Sequence, residues 1–329
     1  MRAVWMRAFG PAESHKVEDV PSPVPGPGQV LIDVQAMGVN FPDLLVVEGK
    51  YQVKPPLPAS PGKEGAGVVA AVGPGVTTTK VGDRVAFQVE HGAFAEQALA
   101  PEGMVFVLPE GLDFPQAAAL GLVSLTAFFA LQRHARLQPG ERVFVPGAAG
   151  GVGLATLQIA RALGGVPIAG VRHGAQHALV RAHGAEAVVD LSVPDLKDGL
   201  RDQLRKVTGG HGADVVVDAV GGDVFDAALR ALAWHGRMVS IGYASGRIPS
   251  VQANYLLLKN LFVSGLMWTD YRDREPESVR AAHAQILDWW RARKLRMPIM
   301  ASFPLSRFHE ALAALRAGRV QGKIVLTRG

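Results

Sequence analysis

One stretch limits the possible folds more than any other: Val143-Phe144-Val145-Pro146-Gly147-Ala148-Ala149-Gly150-Gly151-Val152-Gly153. An apolar run of strand character ends in a glycine-rich turn, and the turn opens directly into a helical pattern. Glycine lets the backbone bend sharply and approach a bound group closely. The first N–H groups of the following helix lack partners within it, and the positive end of its dipole lies at the same place. A strand, a glycine turn and a helix in that order form a pyrophosphate cradle. The strict G-x-G-x-x-G pattern is not met, because Ala148 replaces its first glycine. The surroundings of the loop therefore carry part of the argument.

Those surroundings alternate. Strand-like runs occur at Val143–Pro146, Val166–Val171, Ala187–Asp190, Asp214–Val220, Arg237–Ile241 and Leu261–Leu266. Helical patterns lie between them at Gly151–Leu163, His177–His183 and Leu196–Val207. Most of the strands are continuous Val/Ile/Ala runs, as expected where both faces of a parallel sheet are covered. Six such strands make a complete doubly wound, Rossmann-type α/β sheet. The residues before it read as β-rich, with strands at Val30–Ala36, Gly67–Val72 and Asp83–Gln88 separated by Pro-rich loops. After Trp268 an amphipathic helix (Pro276–Arg293), a strand (Ala301–Pro304), a helix (Ser306–Ala317) and a last strand (Lys323–Thr327) complete the pattern. The expected organisation is a β-rich domain from 1–118 and 269–329, with a dinucleotide-binding domain at 119–268 inserted into it. The active site is expected in the cleft between the two.

Composition excludes several chemistries. The 329 residues suit about two domains. There are no cysteines, which removes disulfides, thiolate nucleophiles and Cys-based zinc or iron–sulfur sites. The longest mostly apolar stretch, Ala117–Leu131, is shorter than a membrane span and reads as a buried helix. No secretory signal is visible at Met1–Gly10, which reads as a strand, so a soluble cytoplasmic protein is expected. The net charge is +5, but the basic residues are dispersed apart from a modest cluster at Arg291–Arg296. No nucleic-acid partner is expected from that distribution.

The second strand of the dinucleotide domain indicates which cofactor. An NAD site places Asp or Glu at its end, about 20 residues past the loop, to bind the ribose 2′-hydroxyl. Here Arg172 and His173 follow Val166–Val171, and Arg172 lies 22 positions after Gly150. A guanidinium at that position suits the 2′-phosphate of NADPH. His177, early in the next helix, is a second candidate for that phosphate.

Taken in order, the segments Gly38-Val39-Asn40-Phe41-Pro42-Asp43, Pro61-Gly62-Lys63-Glu64-Gly65-Ala66-Gly67, Gly82-Asp83-Arg84-Val85, Leu125-Thr126-Ala127 and Gly322-Lys323-Ile324-Val325-Leu326 resemble the medium-chain dehydrogenase/reductase superfamily over essentially the whole chain. The resemblance implies a Rossmann doubly wound parallel sheet inserted in a β-rich, GroES-like catalytic domain. Zinc-dependent members would place a Cys at Asn40 and a His at Lys63. Only Glu64 matches their ligand set, and one carboxylate does not hold a zinc. No metal is therefore expected. The remainder looks like the quinone oxidoreductase, zeta-crystallin-like, branch. A tyrosine of that branch would fall at Leu45, so the substrate pocket differs in detail; another, which contacts the 2′-phosphate in some members, would fall at Leu191, which leaves Arg172 carrying more of the NADPH assignment.

For this chain the resemblance implies hydride transfer from NADPH to a quinone or an activated enone. Asn40 and Tyr51 are the catalytic candidates. Asn40 would bond the nicotinamide ribose or the developing oxyanion, and Tyr51 would donate to the substrate oxygen. Cofactor contacts fall to Asn40, Thr126, Ala149, Gly150, Gly151, Val152, Arg172, His177, Val220, Gly221, Gly242 and Tyr243. Lys323 is expected to reach a cofactor phosphate. Asp43 is as readily a structural cap for the helix after it. The apolar edge strand 261–266 implies a homodimer joined through that edge. Two alternatives stand beside this function. One is an enoyl-thioester or alkenal reductase of the same superfamily, with Arg247 or Arg272 near thioester phosphates. The other is an NADPH-binding protein with little turnover.

Overall fold

The computed structural model describes residues 1–328, which form two compact units. Unit 1 comprises Met1–Leu122, Thr269–Leu287 and the chain from Met297 onward; unit 2 comprises Val123–Trp268 and Asp288–Arg296. The first division thus falls at 122/123 instead of 118/119, and a nine-residue stretch expected in the β-rich unit belongs with the other. The reason is local. Gln158 clasps that stretch, its Nε2 donating to the Arg296 carbonyl and its Oε1 accepting from the Arg296 N–H, both at 2.9 Å.

The N-terminal part of unit 1 supplies strands β1 (Arg2–Trp5), β2 (Lys16–Asp19), β3 (Gln29–Val39), β4 (Glu64–Val72), β5 (Arg84–Gln88), β6 (Gln97–Pro101) and β7 (Val105–Val107). Unit 2 follows with β8 (Arg142–Pro146), β9 (Val166–Val171), β10 (Ala187–Asp190), β11 (Ala213–Asp218), β12 (Leu232–Ser240) and β13 (Phe262–Gly265). The chain then returns to unit 1 for β14 (Ile299–Pro304) and β15 (Lys323–Thr327).

The main sheet of unit 1 runs β14-β15-β3-β4-β5-β7. The 11-residue β3 organises it. One edge of β3 pairs with β4. The other edge is shared, with Gln29–Asp33 taking β6 and Ala36–Val39 taking β15. Alternation along β3 buries Val30, Ile32 and Val34 in a core with Phe87, Phe94, Phe308 and Leu326. The strand is longer than the expected Val30–Ala36, because β15 extends the sheet to Val39. Met1–Gly10 is strand only over Arg2–Trp5.

Unit 2 is a parallel six-stranded sheet of order β10-β9-β8-β11-β12-β13. This is the doubly wound order, and it reverses between β8 and β11. Its strands match the sequence expectation within a few residues, except that β12 begins earlier, at Leu232. The short helices Ala253–Lys259 and Trp268–Arg274 lie beyond that expectation.

The apolar stretch read as Ala117–Leu131 is longer than expected. A helix over Phe114–Phe129 continues through a π-turn at Ala130–His134. These 21 residues are long and apolar enough to cross a membrane, but 78% of the most apolar window is buried inside the protein. That burial is the mark of a core helix.

Candidate active site

In unit 1 the polar residues converge on Glu64, whose carboxylate is 1% exposed. Gly38 and Gly121 make room for it, because a Cβ on either would collide with a Glu64 carboxylate oxygen. Four donors saturate it. Lys323 Nζ and Asn40 Nδ2 reach Oε1, each at 2.8 Å, while the Leu122 N–H (2.6 Å) and Gln88 Nε2 (3.2 Å) reach Oε2. Lys323 is 3% exposed and also donates to Asn40 Oδ1 (2.6 Å) and the Val39 carbonyl (3.1 Å). An ammonium has three protons, and all three are used here. This corrects the expectation for Lys323. Its charge neutralises Glu64 and is not available to a cofactor phosphate.

The same bonds orient Asn40. Both amide protons are engaged, by Glu64 and by the Gly38 carbonyl at 3.2 Å, while Oδ1 keeps one lone pair beyond the Lys323 bond. Asn40 can therefore accept a further hydrogen bond without breaking one, but it cannot donate one. Its backbone N–H donates to Asp43 Oδ2 at 2.8 Å, which fixes the start of the helix Phe41–Val47. Asp43 is fully buried and its Oδ1 has no partner. Burial pushes its carboxyl up to about 7, against the pull of the Lys63 charge and the Asn40 N–H.

A second cluster surrounds Tyr51. The buried Lys63 ammonium lies 4.6 Å from the Tyr51 ring centre, donates to the Glu90 carbonyl at 3.0 Å and pairs with the Glu90 carboxylate. Arg272 holds the other Glu90 oxygen at 3.0 Å and Asp273 at 2.7 Å. Burial, then the Glu90 charge, pushes the Tyr51 hydroxyl up to about 12. It stays protonated at neutral pH, as a hydrogen-bond donor. Arg272 is thus committed to carboxylates. Arg247 is likewise bound to Asp223 (2.9 Å) and Asp226 (2.5 Å). Arg247 makes both contacts through Nη2 alone.

In unit 2 the candidate cofactor residues gather where the strands end. Gly150 caps the helix Gly151–Ala162 without a side-chain partner, which leaves Ala149, Gly150, Gly151 and Val152 at the helix entry. Gly147 has φ +65°, and a Cβ there would lie 2.9 Å from Val220. A Cβ on Gly153 would lie 2.6 Å from Ala148 Cα. The glycines thus bring the loop against its own helix and against the end of β11. The turn beyond β12 is stitched to the same place. Ala244 N–H bonds the Ala219 carbonyl (3.1 Å), Ser245 N–H the Val220 carbonyl (2.8 Å) and Gly222 N–H the Arg247 carbonyl (3.0 Å). Val220, Gly221, Gly242 and Tyr243 therefore form one group with the loop, beside the reversal in strand order. Thr126 is buried on a separate element, the helix Phe114–Phe129.

Arg172 and His177 are exposed beyond the end of β9. Among the described residues the Arg172 guanidinium has no ion pair or hydrogen bond. The neighbouring acid, Asp190, is turned onto Ser192, whose N–H (2.7 Å) and hydroxyl (2.6 Å) it accepts. The cradle tests well against a dinucleotide: glycines that let the loop pack against its own helix and β11, an uncapped helix entry and an uncommitted cation at the end of the second strand.

Asp218 is the residue that sequence reasoning missed. It ends β11, is fully buried and accepts the N–H groups of Val220 and Gly221, both at 3.0 Å. This clamp shapes the turn, in which Gly221 and Gly222 both have positive φ. Burial pushes the carboxyl up to about 6, although the two N–H bonds pull it down. A signal was present: an acid two and three residues before the N–H groups it holds is the spacing of an Asx turn.

Comparison with known proteins agrees with this construction. The model for an alcohol dehydrogenase GroES-like domain matches residues 26–110, and that for a zinc-binding dehydrogenase matches residues 151–284. A quinone oxidoreductase-like protein 2 homolog of Nematostella vectensis is 38% identical over 303 residues, 92% of this chain and 82% of the relative. A quinone oxidoreductase of Pseudomonas aeruginosa is 35% identical over 327 residues, 99% of each chain. A mycobacterial protein solved in complex with NADPH superposes with a TM-score of 0.93 at 32% identity, over 99% of this chain and 100% of that one. With its GroES-like and Rossmann-type units, the chain belongs to the medium-chain dehydrogenase/reductase superfamily of oxidoreductases, in the quinone oxidoreductase-like branch.

Proposed function

We propose that this oxidoreductase uses NADPH to reduce a quinone or an activated enone, without a metal. The observation that carries the proposal is the state of Glu64. Its two oxygens already hold an ammonium and three N–H donors, and a second buried ammonium, Lys63, is found at the position of a zinc-binding histidine. A cation there would meet like charges, and Glu64 has no free lone pair to give it. Without a Lewis acid, the acceptor must already be electron-poor, and conjugated carbonyl compounds meet that need.

When bound, NADPH supplies the hydride, and the protein's task is position and electrostatics. Arg172 would hold the 2′-phosphate, with His177 beside it. Ala149, Gly150, Gly151 and Val152 would hold the pyrophosphate at the helix entry. Val220, Gly221, Gly242 and Tyr243 would line the nicotinamide half, with Thr126 near the ring. The remaining lone pair of Asn40 suits a ribose hydroxyl, which favours that role over contact with a developing oxyanion. Tyr51 would donate a hydrogen bond to the acceptor oxygen, and its raised pKa makes solvent the better final proton source.

We further propose a homodimer through β13. This strand ends the sheet of unit 2 with one edge unpaired, and Trp234, Leu257, Leu258 and Phe262 are 69%, 79%, 73% and 57% exposed around it. An open apolar edge favours pairing with a second copy. A monomer in light scattering at micromolar concentration refutes the dimer.

The test of function is oxidation of NADPH and NADH by the purified chain, in excess EDTA, with an ortho-quinone as acceptor. Fast turnover with NADPH and slow turnover with NADH supports the proposal. Tight NADPH binding without turnover on quinones or enones overturns it in favour of a binding role.

A further inference from the structure

Unit 2 carries a concave pocket of about 680 Å³ that the proposed function does not use. Arg161, Arg181, His183, Arg293, Lys294 and Arg296 line it, and no Asp or Glu does. It lies far from the cofactor cradle. Arg161 is near the start of β9 and Arg172 follows its end, and six strand residues separate the two by about 20 Å.

Cations at helix C-termini are ordinary, because they offset the negative end of the dipole. Arg161 and Arg181 are in the last turns of the helices Gly151–Ala162 and His177–Ala182, and the turn 293–296 follows the helix Pro276–Arg291. Magnitude decides whether that explanation suffices. Three helix ends supply about −1.5 charges together. Glu186, 3.8 Å from Arg161, supplies one more. Five permanent cations therefore leave an excess of about +2.5 around one hollow. Such an excess raises the local concentration of anions at the hollow.

The pocket is also built. Gln158, 8% exposed, holds the backbone of Arg296 by two bonds of 2.9 Å. Arg293 takes a positive φ of 58°, which a non-glycine residue adopts only at a cost, and it is locked there by its own N–H to the Trp290 carbonyl (3.0 Å) and by the Lys294 N–H to the Trp289 carbonyl (2.8 Å). His183 bonds the Leu179 carbonyl through Nδ1 at 2.8 Å, which leaves Nε2 for another partner.

We propose that this pocket is a second anion site, which takes a small molecule carrying two or more phosphate groups. Its volume suits a small ligand. Guanidinium forks match phosphate oxygens, and the charge excess calls for more than one phosphate. A concave site of this size, set apart from any extended basic stripe, favours a compact polyanion over a nucleic-acid strand.

The test is calorimetric titration of inorganic tripolyphosphate into the full chain, kept saturated with NADPH so that the cofactor cradle is occupied. One tripolyphosphate per chain is expected, with orthophosphate at least tenfold weaker. Arg161→Gln with Arg293→Gln should weaken binding about a hundredfold, tenfold for each guanidinium–phosphate pair removed. Arg161 and Arg293 are exposed, and Arg181→Gln alone gives an independent tenfold check if the double variant fails to fold. In wild-type protein, hydrogen exchange should slow at 181–185 and 291–297 when the ligand binds. Absence of binding at millimolar tripolyphosphate, undiminished affinity in the variants, or protection only in the glycine loop each overturn the proposal. Tighter binding of a short single-stranded oligonucleotide than of tripolyphosphate also overturns it, in favour of a nucleic-acid surface.

Discussion

Lys323→Met tests the central claim about unit 1, that this ammonium serves Glu64. The two charges are 2.8 Å apart and at most 3% exposed. Removing one member of such a pair leaves a buried, uncompensated ion, at a cost of about 3–5 kcal/mol. Hydrogen exchange of peptides covering Ala36–Val39 and Ile324–Thr327, which pair with each other, reads this region directly. In the variant, exchange should be faster by about 10² to 10⁴. Adding Glu64→Gln to Lys323→Met should restore most of the protection. The new amide can present its oxygen to the Leu122 N–H and Gln88, and its NH₂ to a flipped Asn40. A loss below about 1 kcal/mol, or a double variant as weak as the sum of the singles, refutes the reasoning.

Four further outcomes follow from the site. Arg172→Ala should raise KM for NADPH about 10- to 100-fold and leave NADH almost unchanged; an equal loss with both cofactors refutes its phosphate role. Asp43→Asn removes a carboxyl whose pKa burial has raised from 3.8 to about 7. The folded wild type holds that proton more tightly than the unfolded chain, so its stability drops by up to about 4 kcal/mol between pH 4 and pH 7, and the variant should lack this drop; parallel melting curves from pH 4.5 to 8 refute the assignment. Asp218→Asn puts an NH₂ against one of two backbone N–H groups, and fluorescence titration should show NADPH binding about tenfold weaker. Gly153→Ala forces a Cβ to 2.6 Å from Ala148 Cα and should weaken NADPH binding more than tenfold; unchanged affinity would mean that the loop yields freely.

The parallel sheet was legible because strands covered on both faces must be apolar throughout, and β8, β9 and β10 read as such almost residue for residue. The glycine loop was legible because its backbone demands leave few residue choices. Asn40 and Tyr51 were found through resemblance, but their surroundings were not. Lys323 shows why. A strand-initial lysine displays a charge in the sequence without displaying its partner, and Glu64 lies 259 positions away. The stretch Asp288–Arg296 was assigned to the wrong unit for a similar reason, since one glutamine on a distant helix holds it. Asp218 was overlooked because a carboxylate at a strand end looks like a solvated charge until burial is known.

The lysine–glutamate pair also has a consequence for biosynthesis. At about 5–20 residues per second, the ribosome needs roughly ten to fifty seconds to travel from Glu64 to Lys323. During that interval β3, β4 and β5 exist without β15, and the carboxylate has no counter-ion. Unit 1 therefore cannot close in its charged form until the last strand has been made, whereas most of unit 2 is already available to fold. A nascent chain cut short before Lys323 would leave Glu64 with its Asn40, Gln88 and Leu122 donors but without its only cation within 4 Å among the described residues.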